Sequence, residues 1–91
     1  MIVSKSVYDS PNIRCVPVIA SFSSKGEIRP LYTTINELQL KIDSYTVHIP
    51  SDGKNWVHFL CNIVDYGIRK EIILQYNITE HAWFVNAEYF R

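Results

Sequence analysis

Turn-forming residues interrupt this 91-residue chain at short intervals, and their spacing constrains the fold more than any other feature. The turn signals are Ser10-Pro11-Asn12, Ser23-Ser24-Lys25-Gly26, Asn36-Glu37, Pro50-Ser51-Asp52-Gly53, Asp65-Tyr66-Gly67 and Asn77-Ile78-Thr79-Glu80. A parallel crossover needs a dozen residues or more, so connections this short leave consecutive antiparallel hairpins. We therefore predict a meander that forms one domain over residues 1–91.

The segments between the turns have the composition of β-strands. Val, Ile and Thr supply 24 residues and aromatic residues another 12, whereas Ala and Leu together supply 8. Side chains branched at Cβ lose freedom in a helix and pack well on a pleated sheet. We predict seven strands: Ile2–Tyr8, Arg14–Phe22, Glu27–Thr34, Leu38–Ile49, Trp56–Val64, Ile68–Tyr76 and His81–Val85. The tail from Asn86 to Arg91 is either a helical turn or a last strand, and we favour the turn, because Ala87 and Glu88 are poor strand formers.

A single small sheet buries little surface unless it curls, and curling also hides unpaired strand edges. The sequence therefore predicts an all-β fold, an antiparallel meander curled into a small, partly open SH3-like barrel of six to seven strands. The fourth strand indicates strong curvature, because its apolar positions shift phase. They run Leu38, Leu40, Ile42 and then Tyr45, Val47, Ile49. Strand alternation has a period of two, so this shift requires a bulge near Asp43-Ser44.

The same alternation predicts how neighbouring strands pair. For the fourth and fifth strands, the expected pairs are Ile49 with Val57, Val47 with Phe59, and Tyr45 with Cys61. For the fifth and sixth strands, they are Ile63 with Ile68, Phe59 with Ile72, and Val57 with Leu74. These registers place the odd-numbered residues from 57 to 63 on the buried face and their even-numbered neighbours on the other face.

Composition narrows the class of protein further. The chain has 9 basic and 9 acidic residues, which is typical neither of an acidic disordered tail nor of a basic nucleic-acid arm. Two cysteines, Cys15 and Cys61, are too few for a disulfide scaffold, and both are expected to be reduced and mostly buried. The apolar stretches are too short to span a bilayer, and Met1 to Lys5 does not open a signal peptide. We expect a cytoplasmic protein that does not bind a membrane.

Three histidines raise the hypothesis of a metal site. The register brings His48 opposite His58 on the outer face, and His81 is a candidate third ligand. Neither a carboxylate nor a cysteine falls at ligand spacing, and surface histidines scattered over a sheet are the usual outcome. We therefore predict neither a metal nor another cofactor, and keep the histidines as an alternative.

Catalytic signals are similarly weak. Cys15 is a candidate nucleophile, but a small buried thiol is the commoner structural role. Asp43, Asp52 and Asp65 each lie at a predicted bend or turn, where aspartate stabilises the backbone without chemistry. The glycines are isolated turn residues rather than a phosphate-binding loop. The sequence predicts that the protein is not an enzyme.

Twelve aromatic residues exceed what one core of this size must hold, so some are expected at a binding surface. The predicted surface is Trp56, His58 and Tyr66. We predict an interaction module that pairs with itself or with a protein partner through an exposed strand edge. The candidate edges are Ile2–Tyr8 and the segment around Pro30, because proline lacks a backbone N–H.

The alternative partner is single-stranded nucleic acid, stacked on the aromatic rings of a small barrel. This alternative is not favoured, because neither half of the chain is strongly basic. It requires that the fold gather dispersed basic residues into one patch, and the candidates are Lys25, Arg29, Lys41, Arg69 and Lys70.

The segments Val16–Phe22 and Gly26–Leu31 carry a pattern I-A-x-F … G-x-I-x-P-L. This chain thereby resembles small bacterial proteins with that opening, and the similarity extends through Leu40-Lys41-Ile42-Asp43, Phe59-Leu60-Cys61 and Trp83-Phe84-Val85. The resemblance implies a short all-β barrel and an association with DNA transactions, and it carries over no functional residue. The chain departs from the pattern at Leu38-Gln39-Leu40, where those proteins favour tryptophan and arginine.

Overall fold

A computed structural model describes residues 12–51 and 54–90. The fold is all-β, as predicted. The described residues form seven strands: β1 (Ile13–Val16), β2 (Val18–Phe22), β3 (Ile28–Ile35), β4 (Leu38–His48), β5 (Trp56–Asp65), β6 (Ile68–Asn77) and β7 (Ala82–Asn86). A 3-10 turn over Ala87–Tyr89 follows, which confirms the expected helical turn in the tail. The predicted strand Ile2–Tyr8 and the turn residues Asp52 and Gly53 lie outside the described residues.

The strands form one antiparallel sheet in the order β1-β7-β6-β5-β4-β3-β2. From β2 to β7 the chain runs as the predicted meander, with each strand paired to the next. The two ends of the sheet are β1 and β2, which are joined by the single residue Pro17. The sheet therefore curls until its ends meet, as expected for a small SH3-like barrel.

Our prediction of one continuous strand over Arg14–Phe22 is wrong, because Pro17 divides it. Residues before Pro17 pair with β7, and residues after it pair with β3. Proline has no N–H to donate to a sheet ladder, which favours the change of partner at this position. The Pro17 carbonyl accepts hydrogen bonds from Thr33 Oγ1 at 3.0 Å and from the Thr34 backbone N–H at 3.4 Å. These bonds hold the junction of β1 and β2 against β3.

The bulge expected in the fourth strand is confirmed, since the β4–β5 register shifts between Ile42 and Ser44. Residues 38–41 of β4 pair with β3, whereas Ile42 and residues 44–48 pair with β5. Val47 lies opposite Phe59 and Tyr45 opposite Cys61, as predicted. The ladder ends at His48, one residue before the predicted pair of Ile49 with Val57. The bulge thus lets the two halves of β4 pair with different strands.

The predicted register of the next hairpin is wrong by two residues. Phe59 pairs with Leu74 rather than with Ile72, and Ile63 pairs with Lys70. The reason is the turn, which contains only Tyr66 and Gly67, with φ of 54° and 78°. Two residues with positive φ make the tight turn that suits the right-handed twist of a hairpin. A shift by two keeps the side-chain parity, so the same faces are buried.

The core confirms the predicted parity of the fifth strand. Phe59, Cys61 and Ile63 are buried, while His58 and Leu60 are partly exposed. The inward-facing residues of the other strands complete one apolar cluster, which includes Val16, Ile35, Leu40, Ile42, Ile72, Leu74, Tyr76, Trp83 and Val85. Within the described residues, no helix is long and apolar enough to cross a membrane.

Candidate functional site

The predicted binding surface does not form one patch. Trp56 and His58 lie at the start of β5, on the face turned away from the core. The Trp56 ring packs edge-on against Phe84, with ring centroids 5.6 Å apart. Tyr66 lies beyond the other end of β5 and is 88% exposed. Ten strand residues span about 30 Å, so Tyr66 belongs to a different end of the molecule.

The fold pairs two of the three histidines. His48 lies opposite His58 across β4 and β5, with ring centroids 6.3 Å apart. Burial lowers the pKa of His58 from its ordinary 6.5, and the nearby His48 lowers it further. His81 lies in the β6–β7 turn, where its Nδ1 is 3.3 Å from the Tyr76 hydroxyl. Among residues 12–51 and 54–90, no three His, Cys, Asp or Glu residues are grouped to hold a metal ion.

The two cysteines have different environments. Cys61 is buried as predicted, and its Sγ donates a hydrogen bond to the Phe59 carbonyl at 3.4 Å. Burial raises the pKa of this thiol to about 12. The prediction that Cys15 is mostly buried is wrong, since Cys15 is exposed. Its neighbour Val16 turns into the core, and adjacent strand residues point to opposite faces.

The basic residues named for nucleic-acid binding lie in different parts of the barrel. Lys25 and Arg29 belong to the β2–β3 hairpin, whereas Arg69 and Lys70 begin β6. Two of them contact carboxylates: Arg29 lies 4.0 Å from Glu27, and Lys70 lies 3.0 Å from Asp65.

A free strand edge and an apolar groove lie together at one end of the barrel. Residues 44–48 of β4 pair with β5 on one side, and the described part of the chain places no strand on their other side. Across this gap, residues 28–30 of β3 pair only with β2 among the described strands, so Pro30 has the open edge that its sequence indicated. We call the space between them the β4 groove. Its volume is about 540 Å³.

The β4 groove has an apolar floor and a charged rim. Tyr45, Val47, Val57 and Phe59 form its β4–β5 wall, and Ile28 with the Glu27–Arg29 pair forms the β3 side. Val47 faces the buried side of the sheet by parity, yet it is 53% exposed.

The β4 edge was not among the edges predicted from the sequence. The phase shift at Asp43-Ser44 was the available signal, since the two halves of one bent strand pair with different neighbours.

A second, more polar pocket lies at the opposite end, beside the β5–β6 turn. It holds about 350 Å³ and is bordered by Asp65, Tyr66, Lys70, Asn36 and Tyr89, above apolar side chains of the core. Asp65 Oδ2 accepts a hydrogen bond from Lys70 Nζ at 3.0 Å. Asp65 Oδ1 is buried and has no hydrogen-bond partner among the described residues. We call this site the Asp65 pocket.

Tyr89 and Asn36 close one side of the Asp65 pocket. Asn36 Nδ2 donates a hydrogen bond to the Tyr89 carbonyl at 3.0 Å, which ties the β3–β4 turn to the C-terminal 3-10 turn. Burial raises the pKa of the Tyr89 hydroxyl, and the carboxylates of Glu88 and Glu71 raise it further.

The sequence indicated that Asp65 faces the inside of the barrel, although we predicted it only as a turn residue. Asp65 shares the parity of Phe59, Cys61 and Ile63, so it is the last inward-facing residue of β5. Lys70 likewise shares the parity of Ile72 on β6. An ion pair on the inward face at the end of two apolar strands marks the mouth of the barrel.

No protein-family model matches this chain, and neither a curated protein nor a solved structure matches it. The geometry of the β4 groove and of the Asp65 pocket is therefore the basis for the functional proposals.

Proposed function

We propose that this chain is a non-enzymatic interaction module that associates with a second copy of itself through the free edge of β4. The observation that carries the proposal is that no strand among residues 12–51 and 54–90 pairs with the outer side of residues 44–48, which lie beside the apolar β4 groove. An unpaired edge presents N–H and C=O groups that another strand can satisfy. The groove supplies apolar side chains next to that backbone, so strand pairing and apolar burial occur together.

Residues 44–48 lack the charged and proline side chains that usually protect an edge strand. Residues 44–48 are Ser-Tyr-Thr-Val-His, without Lys, Arg, Asp, Glu or Pro. Charged residues, proline and bulges normally discourage strand addition. Both strands have a shift in pairing, β2 between Ile19 and Ala20 and β4 between Ile42 and Ser44, but the shift in β4 comes before residues 45–48. The β4 edge is therefore the better surface for association.

The edge is also compatible with a two-fold axis. Antiparallel pairing centred on Thr46 places Tyr45 opposite Val47 of the partner subunit, and Val47 opposite Tyr45 of the partner subunit. Side chains of equal parity then meet on the groove side, where an aromatic and a β-branched residue pair well. The formal net charge of the chain is +0, so long-range repulsion between two copies is small.

Size-exclusion chromatography with light scattering tests the proposal, at concentrations from about 10 µM to about 1 mM, where weak dimers form. We expect the apparent mass to rise from one chain to two. Val47→Lys places a charge at the centre of the edge on a side chain that is 53% exposed, so it should give a monomer that remains folded.

Val64→Lys is the matched control, because Val64 is 45% exposed and lies near the other end of β5. This variant should dimerise like the unaltered chain. A chain that stays monomeric at about 1 mM, or a Val47→Lys variant that dimerises normally, contradicts the proposal.

A further inference from the structure

We propose that the Asp65 pocket is a second binding site, which takes a guanidinium or ammonium group carried on a short apolar stem. The site lies beside the β5–β6 turn, at the opposite end of β5 from the edge proposed for self-association.

The first support is the buried carboxylate oxygen Asp65 Oδ1. A buried polar atom without a hydrogen-bond partner is unfavourable, and nearly all such atoms in proteins are satisfied. Lys70 Nζ occupies only Oδ2. A carboxylate accepts hydrogen bonds at both oxygens, so the buried Oδ1 keeps an acceptor site that no described residue uses.

The second support is the charge around the pocket, which favours a cationic donor over a neutral or anionic one. Asp65 is the acidic residue among the described lining residues. Lys70 is the single basic residue that the described part of the chain contributes to the pocket lining, and its side chain is half exposed, so it can move toward solvent. Bonds from a charged donor to a carboxylate are roughly twice as strong as neutral ones.

The third support is the shape and composition of the walls. The pocket volume of about 350 Å³ lies at the lower end of the roughly 300–1,000 Å³ that is usual for small-ligand sites. Leu38 and Leu40 offer an apolar surface to the stem of the ligand. Tyr66 and Tyr89 present aromatic rings, which attract cations through their faces.

A titration followed by amide NMR shifts tests the proposal with two probes, n-butylguanidinium and the blocked peptide acetyl-Gly-Arg-Gly-amide. We expect saturable shifts at Asn36, Tyr66 and Lys70, with dissociation constants on the order of millimolar, as is usual for small fragments. The probe that binds more tightly shows whether the pocket prefers a free cation or an arginine side chain of a peptide. n-Butanol is the neutral comparison and should shift these amides little.

Asp65→Asn should weaken the binding of n-butylguanidinium at least about tenfold, since it removes the charge and keeps the size. Tyr66→Ala is a second test of binding, and it should not disturb folding because this side chain is 88% exposed. It should weaken the binding of n-butylguanidinium about threefold. Val64→Ala, on the other face of β5, should leave binding unchanged. Val47→Lys should also bind normally, which separates this site from the β4 edge.

The absence of saturable shifts up to about 20 mM of either probe overturns the proposal, since weaker binding has no specificity. Equal shifts with n-butanol, or an undiminished affinity in both Asp65→Asn and Tyr66→Ala, overturn it as well.

Discussion

Phe59 shows at the scale of one residue how pleat parity determines stability. It is 2% exposed, and its ring lies 5.5 Å from that of Tyr45 and 5.4 Å from that of Trp83. Phe59→Ala should lower the free energy of unfolding by about 3 to 5 kcal/mol, because a large buried side chain is lost. Urea denaturation measures this. The adjacent variant His58→Ala should stay within about 0.5 kcal/mol, and equal losses would mean that the faces are inverted.

The two thiols should differ in reactivity with an aromatic disulfide reagent. Cys15 is exposed on β1, so its thiol should react readily at neutral pH. The pKa of Cys61 is raised to about 12, and the side chain is buried, so its thiolate is scarce and inaccessible. We expect one thiol per chain to react in the native state and two in denaturant. Two fast thiols in the native protein would contradict the buried position of Cys61.

His58 should make stability depend on pH. Its pKa in the folded chain lies below the ordinary 6.5, so the unfolded chain binds the proton more tightly. The contribution of neutral His58 to the free energy of unfolding is present above pH 6.5, and it is lost as the pH falls through the pKa of His58 in the folded chain.

Thermal unfolding at about pH 7.5 and about pH 5.5 should show this loss, and His58→Gln should reduce it. His48→Gln should reduce it in part, since His48 contributes to the shift. His81→Gln is the control for loss of an imidazole elsewhere. A pH dependence that His58→Gln leaves unchanged would contradict the assignment.

The β5–β6 hairpin is the element whose turn determines its register. Gly67 has φ of 78°, and a Cβ added there would meet nothing within 4 Å, so backbone strain alone opposes a side chain. Gly67→Ala should therefore cost about 1 to 2 kcal/mol in the free energy of unfolding. Tyr66→Asn is the comparison, because asparagine tolerates the positive φ of 54° at that position. It should be neutral or slightly stabilising, and a loss like that of Gly67→Ala would contradict this account of the turn.

The curl of the whole molecule depends on the contact between Pro17 and β3. The Thr33 side chain is buried, and its hydroxyl donates to the Pro17 carbonyl at 3.0 Å. Thr33→Val keeps the shape and removes this donor, so it should cost about 1 to 2 kcal/mol. Chemical denaturation measures the loss, with Thr79→Val as an exposed control in the β6–β7 turn. A Thr33→Val variant as stable as its control would mean that the hydroxyl does not stabilise the junction.

At the same scale, the curled sheet has one candidate site near each end of β5. The β4 groove opens where residues 28–30 of β3 and 44–48 of β4 separate, and the Asp65 pocket lies beside the β5–β6 turn. Because the ten residues of β5 separate the two sites, a substitution in one site should leave binding at the other unaltered.

Local sequence determined the five strands from β3 to β7, their antiparallel order and the faces of the central strands. Turn residues and β-branched segments act within a few residues, and strand alternation depends only on whether a position is odd or even. The bulge after Ile42, the burial of Phe59 and the positive φ of 85° at Gly26 therefore follow from the sequence.

Tertiary structure decided what depends on residues far apart in the chain. The register of Phe59 against Leu74, the separate partners of the strands flanking Pro17, and the exposure of Cys15 depend on how the sheet curls. The β4 groove and the Asp65 pocket also depend on how the sheet curls. A strand becomes a free edge, and a carboxylate such as Asp65 becomes part of a pocket, only when curvature fixes which strands lie beside it. The reason is that a two-residue shift in pairing leaves each side chain on the same face of the sheet but places it beside different residues of the neighbouring strand.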